Sequence, residues 1–272
     1  MIRSRFACLL LATLPLFAWA LPRNAPVPGG VSVVVLGSAS GTSPRVTFND
    51  LPQPVLRHQG KWTALIGIPL DAAVGEHRIR VVSGNVDREL PLRVAAKHYP
   101  TQNLRFADSR MVTPPPELEA RIIEEQRRIS EWKRHFSNEP EPDTRFDLPA
   151  SGPRSSRFGL RRVLNGEARS PHAGLDVAVG VGAQLRAPAA GTVLAVADLY
   201  FAGKTVVIDH GRGVLTLYAH LSRVDVAEGQ ALARGEPFGA SGVSGRITGP
   251  HLHWGVIVGG SAVDPELFLS AK

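Results

Sequence analysis

The hexapeptide Gly249-Pro250-His251-Leu252-His253-Trp254 sets two histidines two positions apart at the head of an apolar run that continues Gly255-Val256-Ile257-Val258. On a strand, residues i and i+2 project from the same face. His251 and His253 therefore stand side by side, with Leu252 turned the other way. Upstream, His172-Ala173-Gly174-Leu175-Asp176 places a histidine and a carboxylate four residues apart, and Tyr218-Ala219-His220-Leu221 puts two polar groups on one strand face. Imidazoles and carboxylates are zinc ligands, and a catalytic zinc keeps three protein ligands and one open position. His172, Asp176 and one of His251 or His253 would complete such a set, and spacing alone leaves open which of the pair binds. A single His-x-His carries little information, whereas three such motifs, each on or beside a predicted strand, carry far more.

Other motifs exclude other chemistry. The glycine-rich loop Gly239–Gly245 lacks a Gly-Lys-Ser/Thr ending, so it is not a phosphate cradle. His58, His77 and His98 have no metal-like spacing and read as ordinary surface or strand residues. His210 reads as a turn residue with a hydrogen-bonding role, and Tyr218 as a strand residue packed beside the site.

The elements that must position these residues are mostly strands. Residues 31–36, 44–48, 61–68, 77–82 and 89–95 are rich in β-branched side chains and separated by Gly, Pro, Asn and Asp, the pattern of a small all-β domain. Thr113-Pro114-Pro115-Pro116-Glu117 then reads as a helix start with a threonine cap. Leu118, Ile122, Ile129, Trp132 and Phe136 follow at helical spacing, a stripe to be buried on one of the domains. Residues 138–153 are polar and proline-rich and read as a linker. Beyond Phe158 the pattern is β again, with strands expected at 191–197, 204–209, 214–220 and 251–258. With no long amphipathic helix after Phe136, a parallel βαβ sheet is not expected. The expected organisation is a leader at 1–20, an all-β domain at 21–100, helix and linker at 101–150, and the histidine-bearing domain at 151–272.

Residues 1–20 carry Arg3 and Arg5, an apolar stretch, and Ala18-Trp19-Ala20, the form of a secretory signal and its cleavage site. The apolar stretch is shorter than the ~20 residues a bilayer span needs, so no membrane span is expected after cleavage. Cleavage removes Cys8, the only cysteine, which leaves histidine and carboxylate as the metal-binding side chains. The formal charge falls from +7 to +5 when Arg3 and Arg5 leave, which suits an anionic surface or polymer such as a cell wall. Export, and the lack of a basic run interleaved with aromatics, argue against nucleic acid as a partner.

Residues 157–268 resemble the lysostaphin/LytM-type zinc metallopeptidases, exported endopeptidases of bacterial peptidoglycan. The resemblance rests on RFGLR, HAGLDVAV, APAAGTVLAV, VVIDHGRGVLTLYAHL, SGRITGPHLHWGV and VDPELF, in that order. It implies a mainly β chain: a C-terminal antiparallel, sandwich-like peptidase domain, preceded by a small all-β domain and one linking helix. It implies that His172, Asp176 and His253 bind one Zn2+, while His220 and His251 stay unligated and do acid–base work. The implied substrate is the peptide stem of peptidoglycan, in the periplasm, with a regulatory envelope protein as a candidate partner. The bond cut would be D-Ala–diaminopimelate or a glycine bridge. Some relatives carry a tyrosine ahead of the His-x3-Asp motif; residues 165–171 hold none, and Arg161 or Arg169 is the expected substitute. Relatives that have lost ligands act only as activators of other wall hydrolases, and a purely structural zinc site is a third alternative. Both are disfavoured, because every ligand and both catalytic histidines are present. The N-terminal half is expected either to restrict the groove or to localise the enzyme.

Overall fold

The computed structural model describes residues 21–138 and 140–270. The expected leader, residues 1–20 with Cys8, lies outside the described residues. Among the described residues no helix is long and apolar enough to cross a membrane.

The N-terminal part is a small β-sandwich. One sheet contains three strands, Val31–Ser38, Val55–His58 and Lys61–Gly67; the other contains four, Arg45–Phe48, Leu51–Gln53, Gly75–Ser83 and Val86–Val94. In Gly75–Ser83 the alternation is clean: Ile79 and Val81 are buried and Arg78 and Arg80 exposed. Ile79, Val81, Phe48, Ile66 and Leu92 share one core between the sheets. Lys61–Gly67 is different, because all but Lys61 is buried. Its second face packs on the C-terminal part, where Leu65, Val31 and Leu56 join the core of Trp254 and Val258. The approach is close at Gly67, where a Cβ would stand 2.1 Å from the Val258 carbonyl oxygen. Buried Gln53 fixes the same junction: its Nε2 donates to the Gly259 carbonyl at 3.1 Å and its Oε1 accepts from the Gly67 amide at 3.1 Å. The two halves therefore share a core.

The expected linker is a correction. Phe146, in the proline-rich stretch, is buried and stacks on Phe268 at 5.3 Å, with its amide donating to the Phe268 carbonyl at 2.9 Å. Composition suggested a loose tether, but one aromatic and a backbone pairing pin the segment to the C-terminal part. The helix start is a second correction. A residue before proline is kept out of the α region, so the run Pro114–Pro116 cannot be helical throughout. A 3-10 turn, Pro116–Leu118, precedes the helix Glu119–Lys133, which has no side-chain cap. Thr113 Oγ1 instead lies 3.4 Å from Glu167 Oε1, to which it donates. Phe136 lies past the helix end, over Gly213, where a Cβ would come within 2.6 Å of its ring. The stripe is covered by the C-terminal sheet: Trp132 packs with Ala195, Val207, Leu215 and Ile257.

That sheet runs antiparallel through Gly191–Leu199, Gly203–Asp209, Val214–Val224, Leu252–Val258, Leu175–Val177 and Arg154–Ser156. The strand Thr101–Leu104, which follows the N-terminal sandwich, pairs in parallel with Arg161–Leu164 of the C-terminal part. This pairing lays the connecting chain beside the histidines.

Candidate metal centre

Strand register brings the first two groups together. In the antiparallel pair Leu175–Val177 and Leu252–Val258, Asp176 lies directly opposite His253, and side chains of such opposed residues are within contact distance. His172 enters from the loop just ahead of Asp176. Its Nε2 lies 2.9 Å from Asp176 Oδ1 and 3.0 Å from His253 Nδ1, and His253 Nδ1 lies 2.9 Å from the same carboxylate oxygen. The three side chains form the His/Asp cluster able to hold a metal ion among the described residues.

The protons decide what this cluster is. His172 Nδ1 lies 2.8 Å from the Arg157 carbonyl, His220 Nδ1 2.9 Å from the Ser244 carbonyl, and His251 Nδ1 2.8 Å from the Gly249 carbonyl. A carbonyl only accepts, so each Nδ1 carries a proton and each Nε2 is turned away from the backbone to another partner. His172 Nε2 thus faces the Asp176 oxygen and a second imidazole nitrogen at about 3 Å. Three inward-facing atoms of this kind are held together by a cation among them, either a proton on an imidazole or a metal ion. The donor set, two imidazoles and one carboxylate, with the His172 tautomer fixed by the Arg157 carbonyl, fits a zinc-type cation with an open position. Burial raises the Asp176 carboxyl, but the hydrogen bonds and charges of His172 and His253 outweigh it and hold the group well below the usual carboxylate range.

His220 and His251 stand over this cluster. Their rings are 4.9 Å apart, the His220 ring is 6.1 Å from that of His253, and His251 Nε2 is 3.8 Å from Asp176 Oδ1. Burial, followed by the charge of His253, pushes His220 down to about 3. His220 reaches the site through a backbone irregularity. The register between Gly203–Asp209 and Val214–Val224 shifts near it, and its φ is 66°. This bulge breaks the expected sharing of one face with Tyr218. Tyr218 is fully buried, its hydroxyl donates to Thr216 Oγ1 at 2.8 Å, and its ring packs on Phe238 at 4.5 Å. Leu252, between the two histidines of the pair, lies in the core, as alternation requires. His210 is buried and held between the Ala190 carbonyl and Thr216 Oγ1, at 2.8 Å each, away from the cluster.

The expected arginines are also corrected. Arg161 is exposed, and Arg169 is paired with Glu167 and donates to the Val112 carbonyl at 3.0 Å. The two arginines that line the cavity with His220 and His253 are Arg162 and Arg246. Arg162 Nη2 donates to Asp176 Oδ2 at 3.4 Å, leaving Oδ1 to the cluster. Arg162 lies next to a predicted residue but on the other strand face, a difference that a four-residue strand does not reveal in sequence. The cavity, of about 140 Å³, is also walled by Gln102, Leu104 and Phe106 from the N-terminal connection. Phe106 is clamped by Asn165, whose Oδ1 accepts from its amide at 2.8 Å and whose Nδ2 donates to its carbonyl at 3.0 Å.

Known proteins share this arrangement of parts. Residues 170–265 match peptidase family M23, and residues 24–97 match the peptidase family M23 N-terminal domain. The chain is 41% identical over 111 residues to the peptidoglycan DD-endopeptidase ShyA of Vibrio cholerae serotype O1, covering 40% of this chain and 26% of that protein. It is 37% identical over 142 residues to the DD-carboxypeptidase/endopeptidase Mpg of Neisseria meningitidis serogroup B, covering 52% of this chain and 31% of Mpg. The chain thus matches about a quarter to a third of the length of these relatives. A crystal structure from Pseudomonas aeruginosa assigned to peptidase M23 is 38% identical, with a TM-score of 0.77 over 90% of this chain and 95% of that one. The likeness spans both the N-terminal sandwich and the His/Asp-bearing sheet, and on that ground the chain belongs to the metallopeptidases of family M23.

Proposed function

We propose that the chain is a zinc-dependent endopeptidase that hydrolyses peptide cross-links of bacterial peptidoglycan in the periplasm, with His172, Asp176 and His253 as ligands. The observation that carries this reading is the convergence of His172 Nε2 and His253 Nδ1, each 2.9 Å from Asp176 Oδ1, beneath the rings of His220 and His251. The names of the relatives, peptidoglycan endopeptidases, support the substrate, and the secretory leader supports the compartment. A bound zinc supplies Lewis acidity and a water of lowered pKa. The chain's own groups do the rest. His251 Nε2 takes the proton of the attacking water and delivers one to the leaving amine. His220, neutral down to about pH 3, orients by accepting a hydrogen bond. Arg162 is a positioning residue that fixes the far oxygen of Asp176.

The test is release of soluble fragments from purified peptidoglycan by residues 21–272, with chelator and with zinc restored. Loss and recovery of release are the expected results. Stimulation of a second wall hydrolase with no release by the chain itself would establish the activator reading instead.

The wall formed by Gln102, Leu104 and Phe106 gives the restriction idea a specific form: the connecting chain narrows the groove against bulky substrate. Deleting residues 21–150 is a poor test, because Val31, Leu65 and Phe146 belong to the peptidase core. Asn165→Ala in the full chain removes the two Phe106 hydrogen bonds, together worth roughly 1–3 kcal/mol. The expected result is a several-fold rise in kcat/KM on large cross-linked fragments and little change on short peptides. Equal or lower activity on both, with zinc content unchanged, removes the restrictive role.

A further inference from the structure

Arginine is an expensive residue to leave unpaired beside a metal centre, yet Arg246 is placed in this way. Among the described residues no carboxylate lies within ion-pair distance of it. Its one side-chain hydrogen bond is from Nη1 to the Met111 carbonyl at 3.3 Å, and its guanidinium rests 4.2 Å over the Phe201 ring. A guanidinium carries five N–H donors, so most of them are uncommitted. Arg162 adds a second cation. Its one acidic partner, Asp176, is already engaged by His172 and His253, and its Nε is buried with no partner. Burial first, and then the nearby positive charges of Arg162 and Arg169, push Arg246 down to about 10.

Both arginines line a cavity of about 260 Å³ between the helix and the sheet, together with His172, His220 and His253. Lys133 is a third cation on its wall, and no aspartate or glutamate lines it. A metal ion at the triad adds further positive charge. Such a cavity calls for an anion from outside the chain. The planar guanidinium fork matches a carboxylate in a bidentate manner, and the Phe201 face holds that plane in place.

We propose that Arg246 and Arg162 form a carboxylate-binding subsite beside the metal centre, selecting peptides that bear a free carboxylate within one residue of the cleaved bond. This deepens the peptidase reading above and rests on it. The substrate class is an acidic peptide end or an α-carboxylate adjacent to the scissile amide. Amidation of that carboxylate is the modification the subsite would reject.

The experiment has two arms, so that failure of the subsite and failure of the peptidoglycan reading are distinguishable. In the first, N-acetyl-alanine and its carboxamide are titrated into the zinc-loaded full chain and into Arg246→Gln, with binding followed through arginine Nε–Hε NMR signals. The expected result is about 10- to 100-fold tighter binding of the acid than of the amide, the range of a charge-assisted hydrogen bond, reduced to near parity in the variant. Equal binding of acid and amide by the wild type, or an unchanged preference in Arg246→Gln, overturns the subsite whether or not the chain cuts peptidoglycan. In the second arm, matched cross-linked muropeptides with free and amidated carboxylates are compared as substrates. Arg246→Gln should lose kcat/KM on the free acid by the same factor and keep it on the amide. Equal losses on both would mean that Arg246 only supports the fold. Absence of cleavage of either muropeptide by the wild type, with the first arm positive, rejects the peptidoglycan reading and leaves the subsite standing.

Discussion

His172→Ala is expected to yield folded protein that retains almost no zinc after gel filtration and has lost at least about 10³-fold in kcat/KM, since a metal contributes several kcal/mol to the transition state. The geometry gives this prediction a second readout. Zinc should raise the wild-type Tm, because a ligand that binds only the folded state stabilises it by mass action, and it should leave the variant unmoved. The fold survives because its core, with Trp254, Tyr218 and Phe238 fully buried, is built from strands rather than from the ion, unlike a zinc finger. One full equivalent of zinc in His172→Ala would remove it from the ligand set, and collapse of the variant would mean that the metal is structural.

The parts of this site that could be read in the sequence are those with a short-range geometric cause. The His251/His253 pair is visible because strand periodicity is two, and His172 with Asp176 because they sit in one turn-and-strand segment. What could not be read depends on pairing between distant segments. Asp176 faces His253 through a register that no local pattern encodes. His220 points into the site because the ladder slips by a residue beside it, and strict alternation therefore wrongly places Tyr218 with it. Arg162 and Arg246 sit 84 residues apart in sequence and meet through the same cavity. The long strands of both domains were legible from β-branched runs, whereas Thr101–Leu104, Arg154–Ser156 and Glu167–Arg169 are too short to show a period. Prolines in 140–153 suggested a tether because composition reports solvation on average, and one buried Phe146 reverses that reading.

The two histidines outside the His172–Asp176–His253 cluster should separate by variant. His251→Ala is expected to keep its zinc and lose about 10²–10⁴-fold in kcat, the contribution of a positioned acid–base group. Its Nδ1 proton is committed to the Gly249 carbonyl, so the bare Nε2, 3.8 Å from Asp176 Oδ1, is free to take a proton. His220→Ala should also keep zinc but lose less. Burial holds His220 neutral until about pH 3, so it is a weak base and serves by orienting. The same difference fixes the sign of the pH effect. If His251 is the base, its protonation on acidification switches activity off, and the acidic limb of kcat/KM belongs to it. His220→Ala then leaves that limb where it is in wild type, and His251→Ala abolishes or moves it. The measurement is a pH–rate profile for all three proteins at equal zinc content. Loss of zinc from His251→Ala, with zinc kept by His253→Ala, would reverse the roles within the pair. A limb displaced by His220→Ala and untouched by His251→Ala would assign the proton to His220 despite its burial.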